Sequence, residues 1–292
     1  MALVGIKDML RTARGQGYAV GAFNIVDYNS LAAVVGAAEE LSSPAIVQTS
    51  VKTVLFWGYS TLLSWVREVA ERSPVPVALH LDHCKDLDVI RRCIAAGWTS
   101  VMIDASAKAF DENLALSQQV VEMAAPAGVD VEAELGKIGR VGEETLVSGA
   151  EAHLADVEEA VAFCKGLSLA AFAPAIGTLH GVYKGQPKIA FDRLEEIAQR
   201  VDVPIALHGG TGLSDEVFKK CISLGCAKIN ISTQLKYAFI DGFVEYHTAH
   251  SEEYDPLKVL GAQFDRIKGE MAEKMRLFGS AGRASKDEGL AT

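Results

Sequence analysis

Three histidines and three carboxylates stand out because each falls where a short apolar run ends: Asp82 and His83, Asp104, Glu134, His180 and His208. Neutral imidazole suits zinc, and three protein ligands leave a coordination position open for substrate, as in catalytic rather than structural zinc sites. If the fold brings His83, His180 and His208 together, Lewis-acid chemistry follows, with a neighbouring carboxylate to move a proton. Asn24, Ser50 and Asn230 end further apolar runs, so every such end is polar. His80 precedes Asp82 by two residues, on the same strand face and deeper, which suits a supporting role. His153, His247 and His250 lie away from these ends and read as hydrogen-bonded structural groups.

Two glycine-bearing stretches add a second signal. His208-Gly209-Gly210-Thr211-Gly212 follows one apolar run, and Asn230-Ile231-Ser232-Thr233 follows the next and opens a helical pattern. Glycine lets backbone approach a ligand closely, and free amides at a helix start attract anions, so phosphate is the natural guest.

The elements that must position these residues alternate regularly. Eight strand-like runs fall at 19–23, 45–48, 77–81, 100–103, 130–133, 169–173, 205–207 and 227–229. Helical periodicity fills the intervals at 27–41, 61–72, 86–96, 111–125, 156–164, 191–200, 214–223 and 233–246, with Asp86, Asp111 and Ser214 as candidate caps. Eight such units predict a single (β/α)₈ TIM barrel over residues 1–279, whose chemistry gathers where strands end. Amphipathic stretches at 6–14 and 257–277 predict extra N- and C-terminal helices, and residues 280–292 read as a polar, mobile tail.

Composition narrows the function. Of 292 residues, 28 are Lys or Arg and 38 Asp or Glu, giving a formal charge of −10, which disfavours nucleic acid as a partner. No apolar run approaches the roughly 20 residues that span a bilayer, so no membrane partner is expected. Lys7, Asp8 and Arg11 interrupt the start, unlike a signal peptide, and five cysteines without a C-x-x-C pair suit a reduced, cytoplasmic protein.

The motifs resemble those of the zinc-dependent class II ketose-bisphosphate aldolases, whose known members cleave fructose or tagatose 1,6-bisphosphate. The likeness rests on GAFN (21–24), HLDH (80–83), SVMIDAS (100–106), VEAELG (131–136), AIGTLHGVYKG (175–185), LHGGTGL (207–213) and KINIST (228–233). The resemblance implies Zn²⁺ on His83, His180 and His208, with Asp104 and Glu134 at a second divalent-cation position or supporting the first. It implies proton transfer at the ketose C4 hydroxyl by Asp82. Dihydroxyacetone phosphate would be gripped around Gly181, Gly209, Gly210, Thr211, Asn230, Ser232 and Thr233, with Asn24, Ser50 and Lys184 as further contacts and a monovalent cation near the phosphate. The family also implies a homodimer or homotetramer.

Cleavage leaves a carbanionic fragment whose carbon must be protonated after substrate binds, so a mobile loop is a sensible carrier for the acid. Residues 136–144 fit that loop, but Arg140-Val141-Gly142 stands where the family usually shows glycine and the first acid. Glu143 and Glu144 both remain candidates, with Glu143 preferred. Pro174 matches the fructose-bisphosphate type. Arg266, Arg276 and Arg283 are all candidates for a distal phosphate. Competing readings are a Schiff-base aldolase using Lys228, a zinc-dependent hydrolase on the same barrel, and a barrel without catalysis.

Overall fold

A computed structural model of the protein describes residues 3–139, 154–183 and 187–284. Helix α1 (Lys7–Gln16) leads into strand β1 (Val20–Asn24), followed by α2 (Tyr28–Glu40), β2 (Ala45–Ser50), α3 (Val51–Trp57), α4 (Tyr59–Arg72) and β3 (Val77–Cys84). Next come α5 (Leu87–Ala96), β4 (Ser100–Ile103), α6 (Phe110–Ala124), β5 (Asp130–Leu135), α7 (Val157–Gly166) and β6 (Ala171–Pro174). The chain finishes with α8 (Phe191–Arg200), β7 (Ile205–Leu207), α9 (Asp215–Ser223), β8 (Cys226–Ile231), α10 (Thr233–Ala249) and α11 (Pro256–Leu277). Each strand pairs in parallel with the next, and β8 closes on β1, so the expected TIM barrel with extra terminal helices is the fold.

Local chemistry sets most boundaries. Asp27 and Ser30 form a reciprocal capping box on α2, and the Asp86 carboxylate accepts from the amides of Asp88 and Val89. Asp111 is not the expected cap: α6 begins one residue earlier, and Asp111 and Glu112 occupy its first turn, where negative charge meets the helix dipole. Ser214 holds the cap position of α9 without a side-chain bond to the helix amides. Helix α3 was not anticipated, because its seven residues follow β2 without a turn and Ser50 caps it directly. Residues 280–284 also depart from the expected loose tail. Ser280 is buried and bonds to Ser43 Oγ at 2.8 Å, while the amides of Gly282 and Ala284 bond to the carbonyls of Leu41 and Ser42.

Strand alternation sorts side chains into two sets. Leu79, Leu81, Val101, Ile103, Phe172 and Leu207 pack outward against the helices in the main core. The inward set changes character from one end of the barrel to the other. Its lowest layer is apolar, with Val20, Ala22, Ile46, Ala78, Ala171 and Ala206 packed on Ile6, Leu10 and Ala13 of the N-terminal segment. Above it lies a fully buried polar layer of Gln48, His80, Ser100, Glu132 and Lys228. The top layer carries Asn24, Asp82, Asp104, Glu134, His208 and Asn230. The five cysteines are buried and free, and no helix among the described residues is long and apolar enough to cross a membrane.

Candidate active site

The histidines reach one point from three directions. His83 sits near the end of β3, where pairing with β4 shifts register between Leu81 and Cys84, and its φ of 47° lies in the left-handed region. Such a conformation is costly for a residue with a Cβ and persists where the surroundings impose it. His208 follows β7. His180 lies beyond β6, its amide bonded to the Gly139 carbonyl at 2.8 Å. The His83 ring centre is 4.7 Å from that of His180 and 4.6 Å from that of His208, and one ligand atom from each histidine lies within 4.8 Å of the others.

The donor set fits a divalent cation. His208 Nε2 pairs with Glu132 Oε1 at 2.8 Å, which leaves the buried Nδ1 without a hydrogen bond and 3.2 Å from Glu134 Oε2. His83 Nδ1 lies 3.3 Å from Asp104 Oδ2, and its buried Nε2 is likewise unsatisfied. Unpartnered buried polar atoms are expensive, and several converging on one place are what a missing cation would satisfy. Burial alone would lower the pKa of His83, but Asp82, Asp104 and Glu134 outweigh it and raise it to about 9. The same excess of carboxylates that draws a proton would draw a metal ion.

Asp82 is clamped from both sides. Asn24 Nδ2 donates to its Oδ2 at 2.8 Å, and Asn230 Nδ2 donates to its Oδ1 at 3.1 Å. Each amide is fixed from below: Gln48 Nε2 donates to Asn24 Oδ1 at 3.0 Å, and Lys228 Nζ to Asn230 Oδ1 at 2.6 Å. Burial pushes the Asp82 carboxyl up, yet the neighbouring His83 and Lys228 hold it at about 2. Asp82 is thus an ionised, oriented acceptor. Asp104 is similarly held low against burial by His83, Ser106 and Lys85.

The buried layer beneath is what the sequence reading missed in part. Glu132 joins His208 at 2.8 Å, Lys228 Nζ at 3.0 Å, and His80 Nε2 at 3.7 Å, while His80 Nδ1 meets Ser100 Oγ at 2.8 Å. His80 plays the supporting part expected. Glu132 and Gln48 drew no attention, although each lies two residues before a singled-out polar residue on the same strand face. Lys228 is wholly buried under this network, with its Nζ engaged by Glu132 and Asn230, which disfavours a Schiff-base lysine.

Above the histidines opens a cavity of about 580 Å³, lined by Asn24, Ser50, Asp82, His83, Asp104, Glu134, His180, Gly181, Gly209, Gly210, Thr211, Asn230, Ser232 and Thr233. Gly209 has φ 68°, and a Cβ there would lie 2.5 Å from the Leu179 carbonyl oxygen, so only glycine fits. Tyr183, also unnoticed in the sequence, braces this wall, accepting from the Leu179 amide at 2.7 Å and donating to the Gly209 carbonyl at 2.8 Å. Glu143, Glu144, His153 and Lys184 lie outside the described residues. None of the three candidate arginines lines the cavity: Arg266 pairs with Glu270 and Glu245, Arg276 with Glu40, and Arg283 reaches Gln16 and the Tyr18 ring.

Residues 4–283 match the family described as Fructose-bisphosphate aldolase class-II. The chain belongs to that family. The aldolase is 42% identical over 288 residues to the fructose-bisphosphate aldolase of Geobacillus stearothermophilus, covering 98% of this chain and 100% of the relative. It is 37% identical to the sulfofructosephosphate aldolase of Alkalicoccus urumqiensis (97% and 99% covered) and 38% identical to the 6-phospho-5-dehydro-2-deoxy-D-gluconate aldolase of Bacillus subtilis (99% of both). Among solved structures, the YdjI aldolase of Escherichia coli K12 superposes with a TM-score of 0.86 at 32% identity, covering 97% of this chain and 100% of that one. The enzyme is a lyase.

Proposed function

We propose that this aldolase reversibly cleaves fructose 1,6-bisphosphate to dihydroxyacetone phosphate and glyceraldehyde 3-phosphate, with His83, His180 and His208 holding Zn²⁺. The observation that carries the reading is the convergence of the three histidines beside a clamped Asp82 and a glycine-walled cavity that His83 and His180 line. When bound, the cation supplies Lewis-acid stabilisation of the charge that C–C cleavage leaves on the ketose oxygens.

Asp82 accepts the C4 hydroxyl proton. Asn24 and Asn230 occupy both its oxygens and fix its direction, so the acceptor need not reorganise as charge moves. Asp104 and Glu134 orient His83 and His208 or offer a second cation position. Gly181, Gly209, Gly210, Thr211, Ser232 and Thr233, which line the cavity near the start of α10, are assigned to the phosphate of dihydroxyacetone phosphate and its monovalent cation. Lys184 is assigned to the same group and Glu143 to protonation of the carbanion. The exposed Tyr237, Ile240, Phe243 and Val244 on α10 support assembly as a homodimer or homotetramer, and the free thiols support a cytoplasmic setting.

Triose release from fructose and tagatose 1,6-bisphosphates, measured before and after chelation and again after zinc is restored, tests the reading. Loss on chelation and recovery with zinc are expected. Undiminished turnover by metal-free protein would overturn it, and preference for tagatose bisphosphate would correct the C4 stereochemistry alone.

A further inference from the structure

Two of the three histidines are held only loosely by the strand ladder. His83 lies within β3, whereas His180 stands beyond the end of β6 and His208 just past β7. Strands β6 and β7 register at one position only, Phe172 against Ile205. The rings of His180 and His208 are 6.3 Å apart between centres, wider than the distance of either to His83. Something outside the sheet must set that separation, and Tyr183 is placed to do so. Its hydroxyl accepts from the Leu179 amide at 2.7 Å and donates to the Gly209 carbonyl at 2.8 Å. Leu179 is the residue before His180 and Gly209 the residue after His208, so one oxygen ties the backbone beside both ligands. The approach is close: a Cβ on Gly209 would stand 2.5 Å from the Leu179 carbonyl oxygen and 2.9 Å from its nitrogen. The Tyr183 ring packs on the helix–strand core and against Gly212, which limits the swing of its hydroxyl. Burial pushes that hydroxyl up to about 12, so it stays a donor across the neutral range. Tyr183 stands behind the cavity wall rather than in it.

Resting on the zinc reading above, we propose that Tyr183 is a positioning residue for the metal centre: its hydroxyl fixes the separation of His180 and His208 through the peptide groups beside them. Groups one step removed from a metal orient its ligands, and losing one weakens binding by about 10–100-fold. Such a group commonly bonds the ligand ring, as Glu132 does on His208. Tyr183 acts on the main chain instead, and on two ligands at once. Removing its oxygen leaves the Leu179 amide and the Gly209 carbonyl without their shared partner, and the two imidazoles lose their common reference. Folding then no longer gathers the ligands in advance, and the cost of ordering them falls on metal binding.

The experiment compares wild type with Tyr183→Phe, which keeps the ring and removes the hydroxyl, after both are stripped with chelator. Zn²⁺ affinity is measured by competition with a chromophoric chelator, and Co²⁺ is loaded separately to read the visible bands, which follow ligand geometry. In Tyr183→Phe the Kd for Zn²⁺ should rise about 10–100-fold and the Co²⁺ bands should shift, while excess zinc restores most of the triose release. A tyrosine that only stabilises the fold would lower the urea midpoint and leave the Kd and the Co²⁺ spectrum of the folded protein unchanged, and that result overturns the proposal. Turnover lost at wild-type affinity and not relieved by excess zinc overturns it too, because it would assign the hydroxyl to substrate. If Tyr183→Phe does not fold, hydrogen exchange of the Leu179 amide in wild type decides. Protection well beyond that of an open loop is expected with and without zinc, and exchange at the open-loop rate overturns the tie. A wild type that binds no zinc overturns the zinc reading itself, a failure visible before any variant is made.

Discussion

The two ends of the barrel interior solve opposite problems. At the closed end, Ile6, Leu10 and Ala13 seal a floor of apolar side chains that are held by packing. At the open end, buried imidazoles and carboxylates stand with unsatisfied atoms, His83 holds an uncommon backbone conformation, and glycine fills places closed to any side chain. Between them the polar layer of Glu132, Lys228 and His80 joins a stable base to a reactive rim. Sites that must bind ions are poor at stabilising themselves, so the closed end and the helix–strand core carry the fold while the mouth stores unmet bonding capacity.

That contrast can be broken at its upper edge first. His180→Ala should abolish zinc binding and lower kcat/KM by at least about 10⁴-fold, since the cation's Lewis acidity is worth several kcal/mol; metal content and triose release on one preparation check both. Asp82→Ala should retain zinc and lose about 10²–10⁴-fold in kcat, the usual worth of a positioned proton acceptor. Full turnover in that variant would remove Asp82 from its role.

The middle layer should respond in stability as well. Lys228→Met takes the ammonium partner from the buried Glu132, which keeps only its imidazole contacts, and should cost about 3–5 kcal/mol in urea unfolding. At the floor, Leu10→Ala should cost about 2–5 kcal/mol through cavity formation, with kcat at 25 °C nearly intact. A large fall in kcat there would show that floor and rim are coupled. The smallest effect belongs to Arg283→Ala, whose side chain lies near the exposed Gln16 and away from the cavity: within about 0.5 kcal/mol in stability, and no change in kcat/KM.

The strands were legible because alternation of apolar runs with helical periodicity is a property of neighbouring residues, and the observed bounds of β4 and β7 coincide with those read from the chain. The mouth was legible for a related reason: polar residues that end buried strands gather in a closed barrel, as Asp82, His83 and Asn230 do around the cavity and His208 does beside His83. The polar middle layer was harder. Glu132 lies inside a run that reads as a buried strand, and only its pairing partners, 96 residues away at Lys228 and 76 away at His208, explain a charge there. The arginines could not be sorted from the sequence because their distance from the motifs along the chain carries no information about direction. Arg266 and Arg276 lie on α11, where neighbouring acids claim them.

What the amino-acid order determined by itself was the succession of elements and the kinds of side chain each presents at its end, because both follow from local periodicity and covalent spacing. The distance between imidazoles on β3, after β6 and after β7, and the clamp on Asp82 were decided only when the barrel closed. Closure fixes which distant residues share a few ångströms of space, and interactions among buried charges depend on those separations rather than on position along the chain.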